Sequence, residues 1–198
     1  MFKSGIVCGF CIHSVTDLKD DLQICAGYGI LGFSTFKRGI PMKQTTLCYI
    51  ERNHQYLMLH RTKKADDYNH DKWIGIGGHI EENETPMDCA LREVWEETGL
   101  QLQDCAARGI VRFRSDNYED EDMHLFSATR FTGEIIDCDE GDLAWIDKAD
   151  LLRLTMWEGD KVFLKLLETR EDYFDVTLNY RGETLVGVSV DGQRVENW

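Results

Sequence analysis

With 198 residues, 42% of them hydrophobic and 29% charged, the chain has the size and balance of one folded domain rather than of a disordered polymer. It contains no apolar run of the ~18 residues that a membrane-spanning helix requires, so no membrane partner is expected. Its formal net charge of −14 argues against nucleic acid as a bulk partner, because phosphate backbones are bound by basic faces.

Residues 1–41 differ in character from the rest of the chain. They hold Cys8, Cys11 and Cys25 among scattered glycines and show no sustained periodicity. Cys8-x-x-Cys11 has no second pair to complete a zinc site. The seven cysteines of the whole chain, odd in number and irregularly spaced, predict a reducing, cytoplasmic setting. At Met42 the alternating, β-rich stretch MKQTTLCYIE begins. The expected organisation is an N-terminal extension over 1–41, either a disordered tail or the product of an upstream start codon, followed by one domain over 42–198.

Within that domain Thr45–Ile50 and Gln55–His60 read as strands joined by the polar turn Glu51-Arg52-Asn53-His54. The cations Arg61, Lys63 and Lys64 come next, either as a solvated loop or as a grip on an anionic ligand. Lys72–Gly78 leads as a strand into a glycine turn. Further strands are expected at Arg108–Arg114, Met123–Thr132 and Leu143–Ile146, with the acidic loop Ser115–Asp122 facing solvent. Helices are expected over 148–154 and Gly159–Thr169. A hairpin of Tyr173–Tyr180 and Thr184–Val190 around Arg181-Gly182-Glu183 completes the chain.

The chemistry concentrates in GHIEENETPMDCALREVWEETGL, Gly78–Leu100. Thr85 is placed to cap a helix, Pro86 suits its first position, Asp88 is acidic in the first turn, and Gly99 supplies a left-handed stop. At ~100° per residue, Met87, Ala90, Leu91 and Val94 form one apolar stripe. Glu93, Glu96 and Glu97 fall at i, i+3 and i+4 and share a second face. Such like charges repel by roughly a few tenths of a kcal/mol per pair. A solvated glutamate face is the plain reading; a hard divalent cation such as Mg²⁺, which prefers carboxylate and phosphate oxygens, would offset the repulsion.

The spacing from Gly78 through Glu84, Arg92-Glu93-Val94 and Glu96-Glu97 to Gly99-Leu100 resembles the Nudix box without a mismatch. Resemblance to the Nudix hydrolase family implies an α/β fold, an α/β/α sandwich with a central mixed sheet and a catalytic loop-helix-loop. It implies hydrolysis of a nucleoside diphosphate linked to another group, with Mg²⁺ as cofactor and Mn²⁺ as the alternative ion. In that family Glu93, Glu96 and Glu97 are the expected metal cage, joined by the Gly77 carbonyl and by an acid from outside the box, for which Glu140 is the best match. Glu84 and Arg92 are expected to hold the loop against the helix. Either Glu93 or Glu140 is expected to orient the attacking water.

Over residues 42–190 the chain is most similar to bacterial MutT-type 8-oxo-dGTP diphosphatases, in TTLCYIE, DKWIGIGGHIE and TMWEGDKVFLKLL. That resemblance implies conversion of 8-oxo-dGTP to 8-oxo-dGMP and pyrophosphate, which keeps oxidised guanine out of DNA. Trp157 would stack on the base, Asp160 would accept from its edge, and Arg61 would reach the phosphates. Ile74 stands where mammalian enzymes of this type carry a base-reading asparagine, Gly159 where they carry a second aspartate, and His79 where a lysine is common. Two other readings stand beside this one. Tyr118, in the loop beyond the box, points weakly to a dinucleoside polyphosphate hydrolase; a non-catalytic nucleotide sensor is opposed by the complete set of box glutamates. The expected partner is a small nucleotide, bound by a monomer or homodimer.

Overall fold

The computed structural model describes residues 42–64 and 67–198; the expectations for the 1–41 extension and for Cys8-x-x-Cys11 lie outside them. The strand that joins the architecture together is β1 (Lys43–Arg52), whose sequence alternates toward two different cores. Along Lys43–Ile50 it pairs in parallel with β6 (Glu121–Ala128). It then turns at Asn53-His54, with φ of 51° and 62°, into antiparallel β2 (Gln55–His60). Positive φ at both central residues gives the hairpin turn whose twist matches that of its strands.

The remaining strands are β3 (Trp73–Ile74), β4 (Gln101–Leu102), β5 (Ala106–Ser115), β7 (Phe131–Thr132), β8 (Asp142–Asp147), β9 (Phe174–Arg181), β10 (Thr184–Val190) and β11 (Gln193–Val195). They run in the order β11-β10-β9-β5-β6-β1-β2-β3, with β8 also paired to β2 and with β4 and β7 forming a separate small sheet. The sheet is mixed: β1–β6 and β5–β9 are parallel and the other pairs antiparallel.

Successive side chains of a strand point to opposite faces, and here both faces are covered. Tyr49, Tyr56 and Met58 enter one apolar cluster with Val162, Phe163 and Leu167 of α2 (Glu158–Thr169). Cys48, Ile50, Leu57 and Leu59 enter a second cluster with Ala90 and Val94 of α1 (Pro86–Thr98). That double burial explains why β2 reads as the unbroken run Tyr-Leu-Met-Leu rather than as an alternation. A fully buried Val, Leu, Ile, Met or Phe among them, such as Phe163 at 0% exposure, contributes about 1.5–3 kcal/mol of transfer free energy. The expected α/β/α sandwich is thus the architecture observed, and among the described residues no helix is long and apolar enough to cross a membrane.

The differences from expectation are local. Residues 148–154 form only a 3₁₀ turn at Leu151–Arg153, because Leu151 enters the core and Leu154 is already extended toward Met156 and Trp157. The loop expected to end at Asp122 ends earlier, since Glu121 and Asp122 begin β6. Both acids are buried rather than solvated, Glu121 against Thr45 and Asp122 against Arg112 and Arg114. On α1 the stripe is narrower than expected: Ala90 and Val94 are fully buried, while Leu91 remains exposed. Strand β11 extends the expected C-terminal hairpin by one antiparallel neighbour.

Candidate active site

The turn before α1 is forced into place by close approach. Gly77 lies so near β1 that a Cβ there would overlap the Thr46 carbonyl, and a Cβ on Gly78 would meet the Glu93 carboxylate. Glycine is required because the backbone itself is packed. The segment is then laced to β1 by Thr46 N–H donating to the Gly78 carbonyl at 2.9 Å and Cys48 N–H to the Ile76 carbonyl at 2.7 Å. The helix begins as its sequence predicts, with the Thr85 hydroxyl accepting from Asp88 N–H at 3.2 Å and Pro86 in the first turn, and it ends at Gly99 with φ 73°.

Arg92 fastens the turn to the helix. It donates Nε to Glu84 Oε1 at 2.8 Å and Nη2 to Glu84 Oε2 at 2.9 Å, a bidentate pair, and Nη2 also reaches the His79 carbonyl at 3.0 Å. The guanidinium holds the Glu84 carboxyl down at about 2. Its Nη1 touches Glu93 Oε1 at 2.8 Å and Glu96 Oε2 at 3.1 Å. The three helix glutamates therefore separate. Glu93 and Glu97 line a cavity of about 370 Å³ together with Gly77 and Gly78, whereas Glu96 is held by Arg92 with 56% of its side chain exposed. Burial lifts the Glu97 carboxyl to about 7, the charge of Glu93 adds to the lift, and Gly77 N–H opposes it from 3.2 Å.

The same cavity end receives Glu140, which accepts from Arg61 and Lys64. Arg61 also donates Nε to Asp67 Oδ2 at 2.8 Å, so its guanidinium is spent on two carboxylates rather than standing open to a ligand. Lys63 turns away to Asp137 and the Cys138 carbonyl. Among the described residues no three acidic, histidine or cysteine side chains converge as a ready metal cage. The donor chemistry nonetheless fits a hard divalent cation. Glu93 and Glu97 are two carboxylates facing one cavity, and the lifted Glu97 registers a desolvated negative charge that a cation would neutralise.

The far end of the cavity is aromatic. Trp157, 8% exposed, precedes the first turn of α2 and meets Phe113, Tyr118 and Tyr180 edge-on at 6.2, 5.8 and 5.4 Å, while Lys72 Nζ sits 4.6 Å from its ring centroid. Its indole N–H donates to Asn69 Oδ1 at 2.8 Å. Asp160 is 9% exposed and lines the cavity. Desolvation pushes its carboxyl up to about 8, with the nearby Glu121 adding and Lys72 opposing. Ile74 adds an apolar side chain to the cavity lining.

The structure thus brings Arg61, Ile74, Gly77, Glu93, Glu97, Glu140, Trp157 and Asp160 to one cavity, with Glu84 and Arg92 behind its wall and Glu96 outside it. Sequence reasoning missed Glu121, Asn69, Leu178 and Tyr180, which also line it. Glu121 accepts from Thr45 at 2.6 Å and from Tyr68 at 3.2 Å, partners set by strand pairing that no local motif announces.

Comparison with known proteins agrees with this geometry. The Bacillus subtilis (strain 168) protein described as "Uncharacterized Nudix hydrolase YvcI" is 26% identical over 161 residues, covering 78% of this chain and 98% of that relative. The oxidized purine nucleoside triphosphate hydrolase of Danio rerio is 30% identical over 105 residues, 52% of this chain and 67% of its own length. A crystal structure of a MutT protein from Bacillus halodurans superposes with a TM-score of 0.67 at 25% identity, covering 77% of this chain and 99% of that one. The NUDIX domain model matches residues 41–167, the stretch that contains the glycine turn, α1 and both ends of the cavity, and the chain belongs to the Nudix hydrolase family.

Proposed function

We propose that this chain is a divalent-metal-dependent nucleoside triphosphate pyrophosphohydrolase that releases a nucleoside monophosphate and pyrophosphate, with 8-oxo-dGTP as the foremost substrate. The observation that carries the reading is Asp160, a carboxyl only 9% exposed to which no described side chain donates, lining the same cavity as Glu93 and Glu97. An unpartnered carboxyl that lines a cavity is placed to take hydrogen bonds from a ligand. A nucleotide laid along the cavity does so with its base edge while presenting its phosphates to the glutamates. The oxidized purine nucleoside triphosphate hydrolases among the relatives support the same assignment.

Mg²⁺ held by Glu93 and Glu97 would place Lewis-acid charge on the phosphoryl oxygens and acidify a bound water. The chain's own groups do the rest. Arg92 fixes Glu93 through one oxygen, Oε1, which leaves Oε2 free to hold the metal and orient its bound water. Glu140 has both oxygens engaged by Arg61 and Lys64, so it serves to gather positive charge beside the phosphates rather than as the base. The test is a panel of nucleoside triphosphates, dinucleoside polyphosphates and nucleotide sugars with Mg²⁺, scoring pyrophosphate against orthophosphate. Pyrophosphate release from 8-oxo-dGTP at higher kcat/KM than from the other nucleotides is expected; orthophosphate as product, or preference for a dinucleoside polyphosphate, would exclude the proposal.

A further inference from the structure

The C-terminal hairpin of β9 and β10 lies beyond residue 167, where the family match ends. Even so, it forms the floor of the cavity. β9 pairs in parallel with β5, Phe113 opposite Leu178, and period-two alternation sends Leu178 and Tyr180 inward at 1% and 4% exposure while Asn179 and Arg181 face out. These two side chains occupy the space that a side chain at position 159 would need: a Cβ on Gly159 would overlap Leu178 and come within 2.8 Å of the Tyr180 hydroxyl. The glycine is a consequence of the hairpin.

The Tyr180 hydroxyl accepts from Gly159 N–H at 2.7 Å, which uses one of its lone pairs. Its own proton meets no acceptor among the described residues, and the group lines the cavity beside Asp160, whose oxygens likewise meet no donor there. Both side chains are more than nine-tenths buried. Both residues line the cavity, and neither the hydroxyl proton nor the carboxyl has a partner among the described residues.

We infer that Tyr180 is a specificity-determining residue, its O–H donating to the keto oxygen of a guanine-type base while Asp160 accepts from the adjacent ring N–H and amino group. This rests on reading the cavity as the nucleobase site. Guanine offers one acceptor beside two donors, which matches one hydroxyl proton and the Asp160 carboxyl in the ionised form that those two donors would favour. Adenine places an amino donor where guanine has its keto oxygen; Tyr180 could meet it only by offering its remaining lone pair, which leaves the hydroxyl proton without an acceptor among the described residues. A site built to hydrogen-bond a ligand group rejects the analogue lacking it, because its own buried groups are left unpaired.

The test measures calorimetric Kd values of the full chain for dGMP, O6-methyl-dGMP and dAMP, for the unmodified protein and Tyr180→Phe, with melting temperatures alongside. The unmodified protein should bind dGMP about ten-fold more tightly than dAMP or O6-methyl-dGMP, which lacks the keto oxygen and ring N–H. Tyr180→Phe should weaken dGMP about five- to ten-fold with dAMP unchanged, and should raise KM for 8-oxo-dGTP while leaving kcat intact. Equal weakening toward both bases, or no guanine preference in the unmodified protein, overturns the inference. If the variant folds poorly, 6-thio-dGMP, which keeps the ring N–H and amino group but replaces the keto oxygen by sulfur, tests the same contact without a substitution, and binding as tight as that of dGMP overturns the inference. A protein that prefers dGMP yet hydrolyses no triphosphate sinks the proposed function and keeps this assignment; hydrolysis of 8-oxo-dGTP without base preference does the reverse.

Discussion

At the Glu93 end of the cavity the polar contacts are made largely within one short stretch, with Glu84, Arg92, Glu93, Gly77 and Glu97 bonded to one another. At the Asp160 end they are drawn from distant segments, Asn69 to Trp157 and Gly159 to Tyr180, and leave Asp160 and the Tyr180 proton unpaired among the described residues. The first arrangement is a set of charges held by one another; the second leaves polar groups without partners among the described residues. Chemistry common to a family can be carried by a contiguous motif, whereas recognition is assembled by the whole fold and can change without touching that motif.

The comparison breaks most visibly at Glu97. Glu97→Gln should lower kcat more than about 100-fold with Mg²⁺ present, beyond the 10–100-fold typical of groups that only support a metal ligand, while the melting temperature at neutral pH holds or rises because a buried charge opposite Glu93 has gone. Near-normal turnover at saturating Mg²⁺ would remove Glu97 from the chemistry. Arg92→Ala should cost about 10–100-fold in kcat/KM and, unlike Glu97→Gln, lower the melting temperature, since Glu84, Glu93 and the His79 carbonyl all lose their donor.

At the other end, Trp157→Ala should raise KM for a purine triphosphate about ten-fold or more, the scale of one lost base–aromatic contact, and raise it less for a pyrimidine. Equal losses for both would mark Trp157 as core alone, in keeping with its edge-on neighbours. The mildest effect concerns stability. Because the Asp160 carboxyl is pushed from 3.8 to about 8 in the fold, the folded chain binds more protons there than the unfolded one, and stability is lost as pH rises through that window. Asp160→Asn should flatten the decline of melting temperature between pH 5 and 9 by several degrees, at about 2–4 °C per kcal/mol for a domain of this size. The opposite sign, a variant less stable at pH 9 than the unmodified chain, would show that Asp160 is paired as an anion.

Legibility in the residues divides along the same line. The helix with its Thr85 cap and Gly99 stop, the hairpin strands, and the Glu84–Arg92 pair depend on neighbours a few positions away, and each forms where the pattern places it. The burial of Glu121 and Asp122 was not legible, because it depends on β6 lying between β1 and β5, which supplies Thr45 on one side and Arg112 on the other. Nor could the segment Met156–Asp160 alone say why position 159 is glycine; the reason sits on β9, brought there by parallel pairing. The separation of Glu96 from its two companions was likewise hidden, since i+3 and i+4 spacing does not say which carboxylate the single arginine will take.

Parallel pairing of β5 with β9 also sets an order of events. The slot cannot be complete until the C-terminal hairpin docks on a strand from the middle of the chain, a non-local step of the kind that folds slowly. A one-residue slip in that docking would turn Tyr180 outward and bring its neighbours Asn179 and Arg181 to the floor. Any nucleotide that binds only the completed slot would favour the correct register by mass action, and so would act on the last stage of folding.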